Sequence, residues 1–475
     1  MHDNDMDPRP AAYIDGSWHA GEDTVTVTDS ADGGDVARVG LASIEQADAA
    51  VHAAHRAFHD WSSSSLDERR AIIERLANGL ESRSASIAST TAAEVGSVIS
   101  FAERVQAGLP VRVLRSTLDV IDEVDHEETL GTSRVRGLPV GVVAAITPWN
   151  YPLYQAMGKI APALAAGCTV VLKPPQLAPL TTYDLVEELE KAGLPPGVVN
   201  VVQGRGTTVG EHLCDHPLID MVSFTGSTGA GATIAATAAR TVKKVALELG
   251  GKSANIVLDD ADLDLAIPNA ARYFLMNNGQ TCAALTRLIV PRSMRGEVED
   301  RLAAEVAAQV VGDPRDPGST VGPLVSAQQR RSVEKFISLG IEGEGRLLVG
   351  GLHRGDLPDE GHYVRPTVFT DVDPAATIAQ EEIFGPVLVI HTVESEDEAI
   401  AVANNSRYGL SGGVWSRDRD RATAVARRLR TGQVSINGAS FNAAAPFGGF
   451  KQSGYGRELG RHGLHEYLAP QAVQF

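Results

Sequence analysis

Apolar positions along this chain follow two different patterns. In the first part they recur with a helical period behind caps. Ser43 with Gln46, and Ser65 with Glu68, each match a capping box, and after the second box Ala71, Ile72, Arg75, Leu76 and Leu80 carry the helical repeat. The first 30 or so residues read as short strands and turns, with Asp32-Gly33-Gly34 as a turn. From Val140 the apolar residues gather into short runs: Val140–Ile146, Thr169–Leu172, Val198–Val202, Met221–Phe224 and Val245–Leu249. Helix-compatible stretches follow the first four. Strands alternating with helices predict parallel βαβ units with helices on both faces, a Rossmann-like sheet. A second α/β region runs from about Gly251 to Phe450, punctuated by Gly312-Asp313-Pro314 and Phe447-Gly448-Gly449. Between the helices and the first sheet, Asp119–Val135 is acidic and then β-branched, which predicts a protruding excursion.

Composition narrows the picture. A chain of 475 residues has room for two or three domains, and 43% hydrophobic with 21% charged residues excludes a disordered chain. A formal net charge of -18 repels a nucleic-acid backbone, so no nucleic-acid partner is expected. No apolar stretch approaches the roughly 20 residues that span a bilayer, and the opening MHDNDMDPRP has no signal-peptide character. Cys168, Cys214 and Cys282 cannot make a disulfide framework and show no paired metal-ligand spacing, so a reducing cytoplasm is expected and no metal is assigned.

Several residues could carry chemistry. Cys282 closes Asn278-Gly279-Gln280-Thr281, a small polar loop ahead of the apolar Leu288–Val290, where a thiolate nucleophile can be presented. Alone, a single cysteine reads as an inert small hydrophobe before it reads as catalytic. Glu248 ends a strand and enters Leu249-Gly250-Gly251-Lys252, at the strand end where α/β enzymes place working groups. Asn150, between Pro148 and Pro152, is stiffly held and offers an amide donor to an oxyanion; a turn asparagine is the plainer reading. No GxGxxG follows the first strand. Gly204-Arg205-Gly206 and Phe224-Thr225-Gly226-Ser227-Thr228-Gly229 do follow strands, and the second opens a helix whose N-terminus can hold a pyrophosphate. Lys173 ends another strand, within reach of a ribose or phosphate.

Taken together these segments closely resemble the aldehyde dehydrogenase superfamily. The resemblance runs from about Tyr13 to the C-terminus. It is carried by Thr147-Pro148-Trp149-Asn150, Lys173-Pro174, Phe224-Thr225-Gly226-Ser227, Glu248-Leu249-Gly250-Gly251-Lys252, Gly279-Gln280-Thr281-Cys282, Glu381-Glu382-Ile383-Phe384-Gly385-Pro386 and Pro446-Phe447-Gly448-Gly449. It implies an α/β subunit in three parts. These are a Rossmann-like cofactor domain over 1–117 and 138–250, an α/β catalytic domain over 251–450, and a small β oligomerisation element over 118–137 and 451–475. It implies a homodimer or homotetramer. By resemblance, Cys282 is the nucleophile, Glu248 the general base, and Asn150 with the Cys282 N–H the oxyanion hole. Trp149, Lys173, Gln176, Gly226, Ser227, Leu249, Gly250, Glu382 and Phe384 take the cofactor, Glu382 at the nicotinamide-side ribose. Tyr151, Tyr154, Phe441 and Phe447 are assigned to the aldehyde tunnel and suggest an apolar or aromatic substrate. The reaction implied is oxidation of an aldehyde to its acid, through a thiohemiacetal and a thioester that Glu-activated water hydrolyses.

One departure bears on the cofactor. NAD-preferring members commonly carry a glutamate three positions after the lysine, and here that position is Gln176, so NAD and NADP are both expected, NAD as the favourite. Two rival readings share the scaffold. A semialdehyde dehydrogenase that passes its acyl group to coenzyme A generally lacks a base at the Glu248 position, and a non-catalytic homologue should have lost Cys282 or Glu248.

Overall fold

The structure, a computed structural model, describes residues 6–475. The five apolar runs become the strands Val142–Ile146, Thr169–Lys173, Val199–Val202, Met221–Thr225 and Lys244–Glu248. Every residue of the first four is buried, as unbroken apolar strands covered on both faces must be. All five are parallel, in the spatial order 244–248, 221–225, 142–146, 169–173, 199–202. The chain therefore winds one way from Val142–Ile146 and the other way from Met221–Thr225. The gap between those two strands is the topological switch point, where open α/β sheets bind ligands beyond the strand C-termini. Antiparallel strands close both edges: Ala12–Ile14 with Ser17–His19 beyond Val199–Val202, and Gly454–Tyr455 beside Lys244–Glu248.

Among the described residues a second, seven-stranded sheet holds Arg346–Val349, Thr367–Thr370, Val387–Val393, Leu285–Pro291, Ser253–Val257, Ser411–Trp415 and Gln433–Ile436 in that order. All pairs are parallel except the first. Only Leu249–Lys252 separate Lys244–Glu248 of the first sheet from Ser253–Val257 of the second. That short link sets the C-terminal end of one sheet against the other.

The 118–137 excursion is a hairpin, Glu127–Leu130 and Ser133–Pro139, turning at Gly131 with φ +58°. Leu468–Gln474 adds to it antiparallel, giving three strands with the C-terminal strand at an open edge. Of the 451–475 stretch expected in this element, Gly454–Tyr455 lies elsewhere, hydrogen-bonded to Leu247 and Glu248 in the first sheet. The reason is local: the chain must cross that sheet edge before the helix Gly460–Glu466 returns it to the hairpin.

The helical expectations differ at one cap. Ser43 and Gln46 make both bonds of a capping box at the start of Ile44–Ser62. Ser65 accepts the Glu68 N–H ahead of Leu66–Ser82, but Glu68 stays exposed, where water serves its carboxylate, and the box is half made. Among the described residues no helix is long and apolar enough to cross a membrane.

Candidate active site

The loop Thr147–Tyr151 leaves the strand Val142–Ile146 at the switch point and turns into the buried helix Pro152–Ala166. Pro152 in the first helical turn fixes the exit, since its missing N–H is not needed there. Asn150 is buried and donates from Nδ2 to the Gln280 carbonyl at 3.0 Å. An amide nitrogen carries two hydrogens, so the other is left to donate. The Asn150 carbonyl accepts from Gln106 Nε2 and Asn277 Nδ2, both at 2.9 Å, so the backbone here is held from both sides.

The Cys282 loop is held more firmly than an ordinary loop. Asn277, Asn278 and Gly279 lie in succession at φ +51°, +60° and +79°. Left-handed backbone costs a non-glycine residue about 1–3 kcal/mol and persists only where surroundings impose it. Here side-chain bonds do so. Asn278 donates to the carbonyls of Gly96 and Pro323 at 2.7 and 2.9 Å and accepts from Gly322 N–H at 2.7 Å. Asn277 accepts from Ser97 Oγ at 2.5 Å, and Gln280 accepts from Val325 N–H at 2.9 Å. A Cβ on Gly279 would overlap the Gly385 backbone. Thr281 bonds Tyr151 Oη at 2.7 Å and donates to Met276 O at 3.0 Å. Cys282 is half-buried at the end of this scaffold, whereas Cys168 and Cys214 are fully buried.

Glu248, at the C-terminal end of its strand, is buried, and its Oε2 has no hydrogen-bond partner among the described residues. Burial pushes its carboxyl well above the ordinary range, and the Glu458 carboxylate adds to this while Lys159 and Arg457 oppose it. Gly448, at φ +152°, leaves the space that Glu248 occupies: a Cβ there would stand 2.7 Å from Oε1. Burial likewise pushes the Cys282 thiol up, and the carboxylates of Glu382, Glu248 and Glu458 push further while the Ala283 N–H opposes them. Gly251, whose N–H Glu382 accepts, lies against the Cys282 carbonyl, so Glu382 and the cysteine loop are neighbours, and Glu248 is near enough to raise the thiol further.

The nucleotide side fits a dinucleotide. Gly226 and Ser227 follow Met221–Thr225 across the switch point; Ser227 caps the helix Thr228–Ala239, its Oγ accepting the Ala230 N–H at 3.3 Å. A Cβ at Gly229 or Gly206 would meet nothing within 4 Å, so this backbone is open to a bulky anion at a helix N-terminus. Leu249 packs against Gly231 of that helix. Lys173 is buried, lowered by burial to about 8, and spends one N–H on Pro174 O at 2.8 Å, leaving two for a ribose. Gln176 stands half-buried just after Pro175. Glu382 accepts the Gly251 N–H at 3.0 Å, and its other oxygen lies against Gly250, which has no room for a Cβ. Burial raises Glu382 to about 7, opposed by that N–H and by Lys252. Trp149 and Phe384 meet edge to face at 5.4 Å.

Of the tunnel candidates, Tyr151, Tyr154 and Phe447 are buried and share a core with Cys282. Phe441 is 44% exposed and touches the group only through the edge of Phe447, at 6.1 Å. Sequence reasoning missed the fully buried pair Lys159–Glu458, 2.5 Å apart, with Lys159 also donating to Thr225 Oγ1 at 2.8 Å. Its signal was present, because Lys159 is the one charged residue in Pro152–Ala166 and a buried ammonium demands a partner. The side chains of Ser97, Gln106 and Asn277 carried no such signal.

A doubly wound sheet with an anion-accepting helix start at its switch point, facing a scaffolded cysteine and a free carboxylate, defines an oxidoreductase of the dinucleotide-dependent class. Comparison with known proteins sharpens this. The model of the aldehyde dehydrogenase family matches residues 18–473. The chain is 46% identical over 464 residues to a 3-succinoylsemialdehyde-pyridine dehydrogenase of Pseudomonas sp, covering 97% of each chain. It is 46% identical over 437 residues to geranial dehydrogenase of Castellaniella defragrans, covering 90% of each. Among solved structures, aldehyde dehydrogenase C of Pseudomonas syringae, a cysteine-to-alanine mutant in complex with NAD+ and octanal, superposes with TM-score 0.97 at 43% identity, over 99% of this chain and 98% of that one. Betaine aldehyde dehydrogenase of Staphylococcus aureus, in complex with NAD+, gives 0.95 at 36% identity over 99% and 95%. The chain belongs to the aldehyde dehydrogenase family and is an oxidoreductase that acts on aldehydes.

Proposed function

We propose that this enzyme oxidises an apolar aldehyde to its carboxylate through a thioester on Cys282 that Glu248 hydrolyses, using NAD+ in preference to NADP+. The supporting observation is that the Glu248 carboxyl, whose Oε2 has no partner among the described residues, lies near enough to Cys282 to raise the proton affinity of its thiol, which packs against the core holding Tyr151, Tyr154 and Phe447. A bound nicotinamide supplies the hydride acceptor. The chain's own residues do the rest. Cys282 Sγ, its proton passed to solvent water, bonds to the aldehyde carbon as the carbonyl π pair moves onto oxygen. The spare Asn150 amide hydrogen and the Cys282 N–H face the oxyanion formed, a contribution strongest where water is excluded. After oxidation, Glu248 Oε2 takes a proton from water, whose oxygen attacks the thioester carbon, and Sγ leaves as thiolate. The nearby Glu458 carboxylate raises the proton affinity of Glu248, which suits Glu248 to hold that proton.

The three-part division serves this chemistry. The proposal places the cofactor on 1–117 and 138–250, the nucleophile on 251–450, and self-association on 118–137 with the C-terminal strand. Leu130, Val473 and Phe475 are exposed at that open-edged sheet, and unpaired edges of this kind invite another strand, so a homodimer or homotetramer in the cytoplasm is the assembly proposed. The apolar substrate class rests on Tyr151, Tyr154 and Phe447 around Cys282. It also agrees with the geranial named for one relative and the octanal bound to another.

The test separates the two chemical steps. Cys282→Ala should leave no turnover with octanal. Glu248→Gln should still release one equivalent of NADH in a burst and then turn over slower by about 10² to 10⁴, the usual range for general-base catalysis. Intact mass should find the acyl group on Cys282. A missing burst moves Glu248 to the acylation step and overturns this assignment. Steady turnover that requires coenzyme A would replace hydrolysis by acyl transfer.

A further inference from the structure

A second chemical cluster lies at the other end of the first sheet. Asp48 and His52 stand one helical turn apart on Ile44–Ser62, and His212 and His216 stand four residues apart at the end of Glu211–Asp215. The two pairs face each other across a surface cleft also lined by Asp215, Pro217 and Leu218. His216 precedes the strand Met221–Thr225, whereas Gly226 and the catalytic loops follow the strand C-termini. The cluster is therefore remote from Cys282.

We infer that Asp48, His212 and His216 form a binding site for a borderline divalent cation of the zinc, cobalt or nickel kind. Their ligand atoms all lie within 4.8 Å of one another, the one such grouping of three among the described residues. Asp48 Oδ1 is 2.9 Å from His216 Nε2 and 3.9 Å from His212 Nε2. Ligands around a tetrahedral zinc, at bonds of about 2.0–2.1 Å, stand roughly 3.3 Å apart, so the two separations bracket the need. His212 Nε2 is buried and has no hydrogen-bond partner among the described residues, although an imidazole nitrogen left without one is costly. His52 Nε2 lies 3.5 Å from the other Asp48 oxygen, Oδ2. Two imidazoles and one carboxylate suit zinc and its neighbours, whereas magnesium and calcium take oxygen ligands.

The site has a built-in proton rearrangement. The Leu218 N–H donates to His216 Nδ1 at 3.2 Å, an arrangement that suits the tautomer with its proton on Nε2, facing Asp48 Oδ1 at 2.9 Å. A cation needs the Nε2 lone pair. The proton then passes through solvent to Nδ1, the Leu218 bond is given up, and the neutral ring releases no net proton. Binding joins the helix Ile44–Ser62 to the segment 211–216 and should stabilise the fold.

Cobalt reports such a site by visible ligand-field absorption. The untagged full-length chain carrying Cys282→Ala, which removes the reactive thiol as a competing ligand, should take up one equivalent of Co2+. Asp48→Asn and His212→Ala should each weaken binding by about 100-fold or more, and His55→Ala, exposed on the same helix, should not. With Cys282 intact, the Asp48 and His212 variants should keep dehydrogenase turnover. X-ray absorption of the zinc-loaded chain, which needs no variant at the cluster, should show a nitrogen and oxygen shell with two imidazoles. Absence of a cobalt band at 100 μM metal, sulfur in the shell, or equal binding by His212→Ala would each overturn the inference.

Discussion

Glu382 touches both halves of the chemistry: it lies against Gly250 on the nucleotide side, and its charge is the strongest of those raising the Cys282 thiol. Being raised to about 7 itself, it is mostly ionised above that pH. Removing the charge lets the thiol ionise more easily, so Glu382→Gln should shift the pH profile of Cys282 alkylation by iodoacetamide to lower pH. An unmoved profile in the cofactor-free protein would show that the two groups do not interact. Gln176 is the other informative single residue. It keeps an acceptor for a ribose hydroxyl but lacks the charge that repels a 2′-phosphate, and Lys173 stands three residues earlier. We expect both cofactors to be used, and Gln176→Glu to lose kcat/KM for NADP+ far more than for NAD+. An equal loss would mean that this side chain does not read the ribose. The places of Glu248, at the end of its strand, and of Asn150, in the loop after Val142–Ile146, were legible because apolar strand runs and flanking prolines mark them locally. Phe441 was not, since exposure of a loop aromatic depends on packing that no local pattern encodes.

At the scale of elements, the parallel strands were legible to within two residues because burial on both faces leaves an unbroken apolar run. The loop carrying Cys282 was legible as a loop but not as a scaffold. Its left-handed Asn277 and Asn278 are held by groups near residues 96 and 323, and partners so distant leave no local trace. The position most sensitive to this is Gly279, which combines φ +79° with backbone contact to Gly385. Gly279→Ala should lower the melting temperature by several degrees and abolish the NADH burst, about 1–3 kcal/mol coming from backbone strain alone. A variant that melts like the parent and retains its burst would mean that the loop is freer than its bonds imply. The helix Pro152–Ala166 shows the converse, a signal that was present but passed over. Its solitary lysine announced an ion pair, and Glu458 completes it from the far end of the chain.

For the whole molecule the telling feature is how the chain ends. After contributing Gly454–Tyr455 beside Glu248, it crosses to the hairpin and finishes as an edge strand. Deleting residues 468–475 should convert the assembly to monomer in sedimentation at micromolar concentration; a wild-type monomer, or a truncated chain that still assembles, contradicts the proposed role. A Rossmann-like parallel sheet followed by a second α/β region could be read in advance, but this return of the chain to the strand that ends at Glu248 could not, because a two-residue strand has no periodicity. The last residue is also fastened: Phe475 donates its N–H to Thr132 O at 2.9 Å, and the Arg134 guanidinium lies over its ring at 5.4 Å. This matters for handling the protein at the bench. If the proposed assembly uses this edge, an affinity tag or fluorescent fusion joined after Phe475 starts from a pinned residue there and competes with the second subunit for it.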